Sequence, residues 1–179
     1  MYNILFEIAI LGSEHVGKKT LAKSKFLDNL GDLDYMLTIG MEFSNKKVKI
    51  DQTIVMLLIR TFSDKHRWWI KSPKGNLGNN MRGTKGAIVL YDITNSKSLE
   101  RGPQWIQIVK DNAGDIPILL VGNKLDLKEQ REVSKEQIEK IKNEYNIASA
   151  LEISVKTGEN VEKLFSDLTN LILNQFKRS

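Results

Sequence analysis

Gly12-Ser-Glu-His-Val-Gly17-Lys18 stands between an apolar run, Phe6 to Leu11, and a helical pattern that starts at Lys18. That is the position an anion-binding loop requires. Glycines let the backbone curl until its N–H groups converge on a phosphate, and a helix N-terminus adds partial positive charge. Lys18 is then placed to reach the β- and γ-phosphates of a nucleotide. Gly12, Glu14, His15, Val16, Gly17 and Lys18 are the candidate cradle, with Lys19 and Thr20 beside it. The residue after Lys18 breaks the pattern. Such loops carry Ser or Thr there, whose hydroxyl ligates Mg²⁺. This chain has Lys19 instead. Thr20 comes one place late, about 100° further round a helix.

Outward from this loop, apolar runs alternate with helical patterns to the end of the chain, which predicts a wound α/β sheet. A helix is expected from Lys18 to about Asn29. Phe43 to Ile50 and Thr53 to Thr61 read as a hairpin around Asp51-Gln52, giving the sheet one antiparallel edge strand. Lys71 to Asn80, with Pro73, Gly75 and Gly78, reads as a flexible loop. Ala87 to Tyr91, Ile116 to Val121 and Leu151 to Ile153 have the apolar look of buried parallel strands, completing six. Ser134 and Gln137 form a capping box ahead of a helix carrying Ile138, Ile141 and Tyr145. The last helix puts Val161, Leu164, Phe165, Leu168, Leu171, Ile172 and Phe176 on one core-facing stripe.

Composition narrows the function classes. A chain of 179 residues with 41% apolar content fits one compact domain, 1–179. Its charge of +5 is spread along the chain, a solvated basic surface rather than a nucleic-acid stripe. There are no cysteines, which excludes a disulfide framework, a thiolate zinc site and a prenyl or palmitoyl anchor in this chain. The N-terminus lacks a signal-peptide pattern and no apolar run is long enough to span a bilayer. A cytoplasmic protein, peripheral to membranes only through partners, is the expectation. His15 and His66 have no clustered metal-ligand companions.

Asn123-Lys124-Leu125-Asp126 follows the strand that ends at Val121-Gly122, and Ser154-Val155-Lys156 follows the last strand. A carboxylate accepting from both N1 and the exocyclic amine of guanine rejects adenine, which lacks that donor pair. Three motifs in this order at strand ends point to one guanine-nucleotide site.

On these residues the chain resembles the Ras-superfamily small GTPases, closest to the Rab branch, over essentially its whole length. Tyr35 to Phe43 resembles the Rab switch I, Gly86 to Thr94 the fourth family strand, Val121 to Leu127 the base motif, and Ser154 to Val161 the Ser-Ala-Lys motif. The resemblance implies the P-loop GTPase (Rossmann-like) fold and bound GTP or GDP. It implies guanine selection by Asp126, lysine stems of Lys124 and Lys156 near the base, and a switch-I magnesium ligand at Thr38. Effector or regulator proteins are implied at the switches, through Phe43 and the neighbouring Trp68 and Trp69. Of the family's aromatic trio only Phe43 matches, since Ile59 and Asn80 take the other two places. Leu30 falls near the family's base-packing phenylalanine.

Switch II departs from the family. Its Asp-x-x-Gly-Gln register falls on Arg60-Thr-Phe-Ser63-Asp64, and the connection after it is longer than the family's. Arg60 replaces the aspartate that orients a metal-bound water, and Asp64 replaces the water-positioning glutamine. Lys19 and Arg60 would each face roughly 8 kcal/mol of repulsion from Mg²⁺ at about 4 Å and an effective dielectric of about 20. Either they replace part of the metal's charge, or both swing outward and leave a weaker metal site. Arg60 is also the one candidate charge stabiliser for hydrolysis, with Asp64 at the usual glutamine position. Hydrolysis is expected to be very slow or absent. A nucleotide-free pseudo-GTPase scaffold acting through protein contacts is the alternative.

Overall fold

The structure, a computed structural model, describes residues 4–29, 41–62 and 81–178. Seven strands form one sheet: β1 (Ile4–Gly12), β2 (Asp28–Asn29), β3 (Met41–Ile50), β4 (Thr53–Phe62), β5 (Thr84–Asp92), β6 (Ile118–Asn123) and β7 (Ser149–Glu152). Their order is β2-β3-β4-β1-β5-β6-β7. β4, β1, β5, β6 and β7 pair in parallel, and β3 alone runs against them. The six expected strands are present. A seventh of two residues, β2, adds itself outside β3, so the antiparallel strand is one place in from the edge.

The helices are α1 (Lys18–Ala22), α2 (Ser96–Glu100), α3 (Gly102–Ala113), α4 (Lys135–Glu144) and α5 (Val161–Phe176). Strand alternation divides the core in two. Ile8 and Ile10 of β1 pack with Leu21 and with Leu164, Phe165 and Leu168 of α5 on one face. Ala9 and Leu11 pack with Trp105, Ile106 and Val109 of α3 and Ile138 of α4 on the other. The period-two pattern of the central strand thus sorts the helices onto both faces.

Local signals explain several boundaries. Asp51 takes a left-handed φ of 51° in the two-residue hairpin turn. The capping box is complete: the Gln137 N–H donates to Ser134 Oγ, and the Ser134 N–H donates to the Gln137 side chain. The segment 96–113, unassigned from its pattern, forms α2 and α3, with a proline in the first turn of α3.

Two expectations need correction. α1 stops at Ala22 rather than near Asn29. Ser24 donates from both its backbone N–H and its Oγ to the Leu21 carbonyl, taking up a helix acceptor, and the Leu27 N–H then turns back to Ser24. The chain buries Leu27 and joins the sheet as β2. On α5 the stripe is buried at Val161, Leu164, Phe165, Leu168 and Ile172 and half-buried at Leu171, but at its end Phe176 is 62% exposed and meets Phe6 ring-edge to ring, at 6.0 Å between centroids.

Phe165 is wholly buried between α5 and the sheet. Phe165→Ala should cost about 3–5 kcal/mol of stability, read as a lower midpoint in urea at unchanged slope.

Candidate functional site

β1, β6 and β7 are parallel neighbours or near-neighbours, so the loops that leave their carboxyl ends gather on one edge of the sheet, where open α/β sheets bind ligands. The loop after β1 is held open by its glycines. Gly12 has φ 144° and Gly17 φ 100°. A Cβ on Gly12 would run into the Leu90 carbonyl oxygen, and one on Gly17 into the Asn123 amide nitrogen. His15 also sits left-handed, at φ 62°. Lys18 is buried, and its Nζ donates to the carbonyls of Gly12 and Ser13, each at 2.6 Å. α1 has only five residues, so its dipole is small and the loop's own amides are the main anion donors.

Asn123 links this loop to the one after β7. Its Nδ2 donates to the Val16 carbonyl at 2.9 Å, and the Val155 N–H donates to its Oδ1 at 3.1 Å. Asn123 is 4% exposed, so neither bond competes with bulk water. Asp126 stands just beyond. Ser154 Oγ donates to Asp126 Oδ1 at 2.6 Å, and Lys156 Nζ lies 3.7 Å from Oδ2. The Ser154 hydrogen bond, helped by Lys156, holds the Asp126 carboxyl below the usual carboxylate range against the opposing effect of burial. Lys124, at φ 70°, pairs with Asp92 at 2.5 Å.

These groups surround a cleft of about 730 Å³, within the range of small-molecule sites. Glu14, His15, Gly17, Lys18, Lys19 and Thr20 line one end. Asn123, Lys124, Asp126, Val155 and Lys156 line the other. Gly12, Val16 and Ser154 sit behind the wall, as backbone spacer, core residue and carboxylate anchor.

The profile of the Ras family matches residues 7–174. The chain belongs to the Ras family. Ras-related protein Rab-1 of Theileria parva is 35% identical over 173 residues, covering 96% of this chain and 76% of that protein. Human Ras-related protein Rab-8B is 31% identical over 178 residues, covering 99% and 83%. Ras-related protein Rab-8 of Diplobatis ommata is 32% identical over 178 residues, covering 99% and 81%. The chain is a Rab-like small GTPase by sequence.

Lys19 is mostly exposed at the cleft, with its Nζ 3.7 Å from Glu42 Oε1. Arg60 does not line the cleft: its guanidinium donates to Glu7 of β1, so of the two placements open to it from the sequence it takes the outward one. Among the described residues no cluster of His, Asp and Glu is arranged to hold a metal ion. Thr38, Ser63, Asp64, His66, Trp68, Trp69, Asn80 and Leu30 lie outside the described residues. Phe43 is half-buried and packs against the α3 face.

Sequence reasoning missed three groups. Glu42 and Thr61 both line the cleft and face each other across β3 and β4, and Asp92 holds Lys124. Counting back from the two-residue turn at Asp51-Gln52 would have paired residues 42 and 61, but not shown which face they take.

Asn123→Ala strands the Val16 carbonyl and the Val155 N–H, and should cost about 1–3 kcal/mol in urea denaturation. Asp126 gives a pH signature. Its native pKa is lowered, so its contribution is complete above the unfolded carboxylate value and is lost as pH falls through the lowered native value. Asp126→Asn should remove that acid-side slope from a stability–pH series and leave the slope near neutrality unchanged.

Proposed function

We propose that this chain is a single-domain guanine-nucleotide switch with very slow or no intrinsic GTP hydrolysis. The observation that carries the reading is Asp126, ionised and oriented by Ser154 and Lys156 across the cleft from the phosphate loop. A carboxylate fixed in this way can accept from the two adjacent N–H donors of guanine, and leaves adenine unmatched. Gly12 to Lys18 cradles the phosphates with backbone N–H groups, and Lys18 turns its ammonium from loop carbonyls to phosphate oxygens. Asn123 keeps the two ends at a constant separation. The Lys124 stem, fixed by Asp92, supplies an apolar flank for the base.

Hydrolysis is a different matter. The family's glutamine position is Asp64, a carboxylate that would face a highly charged triphosphate rather than orient water. Arg60 is engaged by Glu7. The described residues therefore bring no cation beyond the lysines to the transition state. Switching would be read by partner proteins through the switch regions, for which the sequence offers Phe43, Trp68 and Trp69 as aromatic anchors. No helix among the described residues is long and apolar enough to cross a membrane. A cytoplasmic location, with membranes reached through partners, is part of the same proposal.

Calorimetry should register saturable binding of GDP and GTP and none of ATP. Asp126→Ala should weaken GDP by about 10²-fold or more, the effect of losing charge-assisted bonds of about 1.5–3 kcal/mol each. Single-turnover assays should find GTP largely intact on a time scale where ordinary relatives have hydrolysed it. No heat with either guanine nucleotide would leave a nucleotide-free scaffold as the reading.

A further inference from the structure

We propose that Lys19, counterpoised by Glu42, is the resident cation at the phosphate end of the cleft, and that guanine nucleotide binds there without a divalent metal. This rests on the guanine-nucleotide reading above and specifies what neutralises the phosphates in it.

The donor set is the first ground. Where the family places a hydroxyl ligand directly after the loop lysine, this chain presents the ammonium of Lys19, which lines the cleft. No described group of acids or histidines takes over the ligation. A divalent ion at that end would stand beside Lys19 and Lys23, both within 4.0 Å of the same Glu42 oxygen. Like charges so close disfavour its entry.

The second ground is the wall opposite Lys19. Glu42 is only 14% exposed, and its Oε2 is buried with no hydrogen-bond partner among the described residues. Thr61 stands directly across the hairpin, is 3% exposed, and has an equally unpartnered hydroxyl. Two unmatched oxygens on the cleft wall attract a cation. The ammonium groups at 3.7 and 4.0 Å are the cations already there.

The third ground is that Lys19 is held loosely. Its side chain is 64% exposed and its contact with Glu42 is long for a charged pair. A flexible four-carbon stem can carry the ammonium from Glu42 to a phosphate oxygen at little cost. Glu42 then acts as the competitor that the phosphates displace. Arg60 takes no part, because Glu7 engages it outside the cleft. Of the two cations the sequence offered, only Lys19 lines the cleft, with Glu42 as its counter-ion.

The test is calorimetry of the nucleotide-free full chain with GDP and GTP, each in excess Mg²⁺ and in EDTA. The native Kd should differ by less than about threefold between the two buffers, while Lys19→Ser, which restores a hydroxyl, should gain at least about tenfold from Mg²⁺. Glu42→Gln should tighten GTP by about threefold to tenfold in EDTA, and GDP less, because it releases Lys19 and removes a charge near the outermost phosphate. Thermal melts check that the variants fold, and Lys19→Thr serves as a second hydroxyl variant. Native binding that collapses in EDTA overturns the proposal. So does a hydroxyl variant as indifferent to metal as the native chain, or a Glu42→Gln variant unchanged for both nucleotides. A Mg²⁺ gain that Glu42→Gln abolishes would also overturn it, by placing the metal on Glu42. No binding by any variant in either buffer instead overturns the nucleotide reading itself.

Discussion

Of the loops that leave the carboxyl edge of the sheet, those after β1, β6 and β7 are joined by one buried carboxamide. Asn123 sits at the end of β6, gives its N–H to the phosphate loop at Val16, and takes an N–H from the loop after β7 at Val155. The loops carry most of the groups that line the cleft, and these two bonds tie its phosphate-loop side to the loop after β7. In a site shielded from water each bond is stronger than at the surface, and losing either would strand a buried partner. The same constraint explains Gly17, whose missing side chain leaves the space that the Asn123 amide occupies.

Around that frame the charges of the cleft come in opposed sets. Lys124 faces Asp92, Lys156 faces Asp126, Lys19 faces Glu42, and Lys18 donates to loop carbonyls. An anionic ligand entering such a cleft exchanges partners with these lysines rather than meeting bare cations. That moderates electrostatic attraction and makes the acids as important to affinity as the lysines. Glu42 is the least satisfied of the acids, with one oxygen buried and unpartnered, so it has the most to alter when a ligand arrives.

The sheet was legible because its signals are periodic. Alternation in β3 and β4 around Asp51-Gln52, the apolar runs of β5 and β6 and the Ser134 box each depend on neighbours within a few residues. The length of α1 was not legible from apolar spacing. Ser24 competes for the Leu21 carbonyl, and the segment beyond it finds a better place against β3 than in a helix. Phe176 keeps the stripe's spacing but lies at the helix end, exposed and touching Phe6 only edge-on.

The order of the motifs, their places at strand ends and the residue types at each were determined by the sequence itself, because local backbone geometry needs only the glycines, caps and alternation in each segment. That Lys19 follows the loop lysine and that Arg60 closes the apolar run of β4 were equally plain. Where those cations point was decided only by tertiary structure. Arg60 pairs with Glu7, 53 residues away on the neighbouring strand β1, and Lys19 meets Glu42 across from α1. A long charged side chain has no preferred direction of its own; its direction follows from the nearest opposite charge, and strand register decides which charge that is.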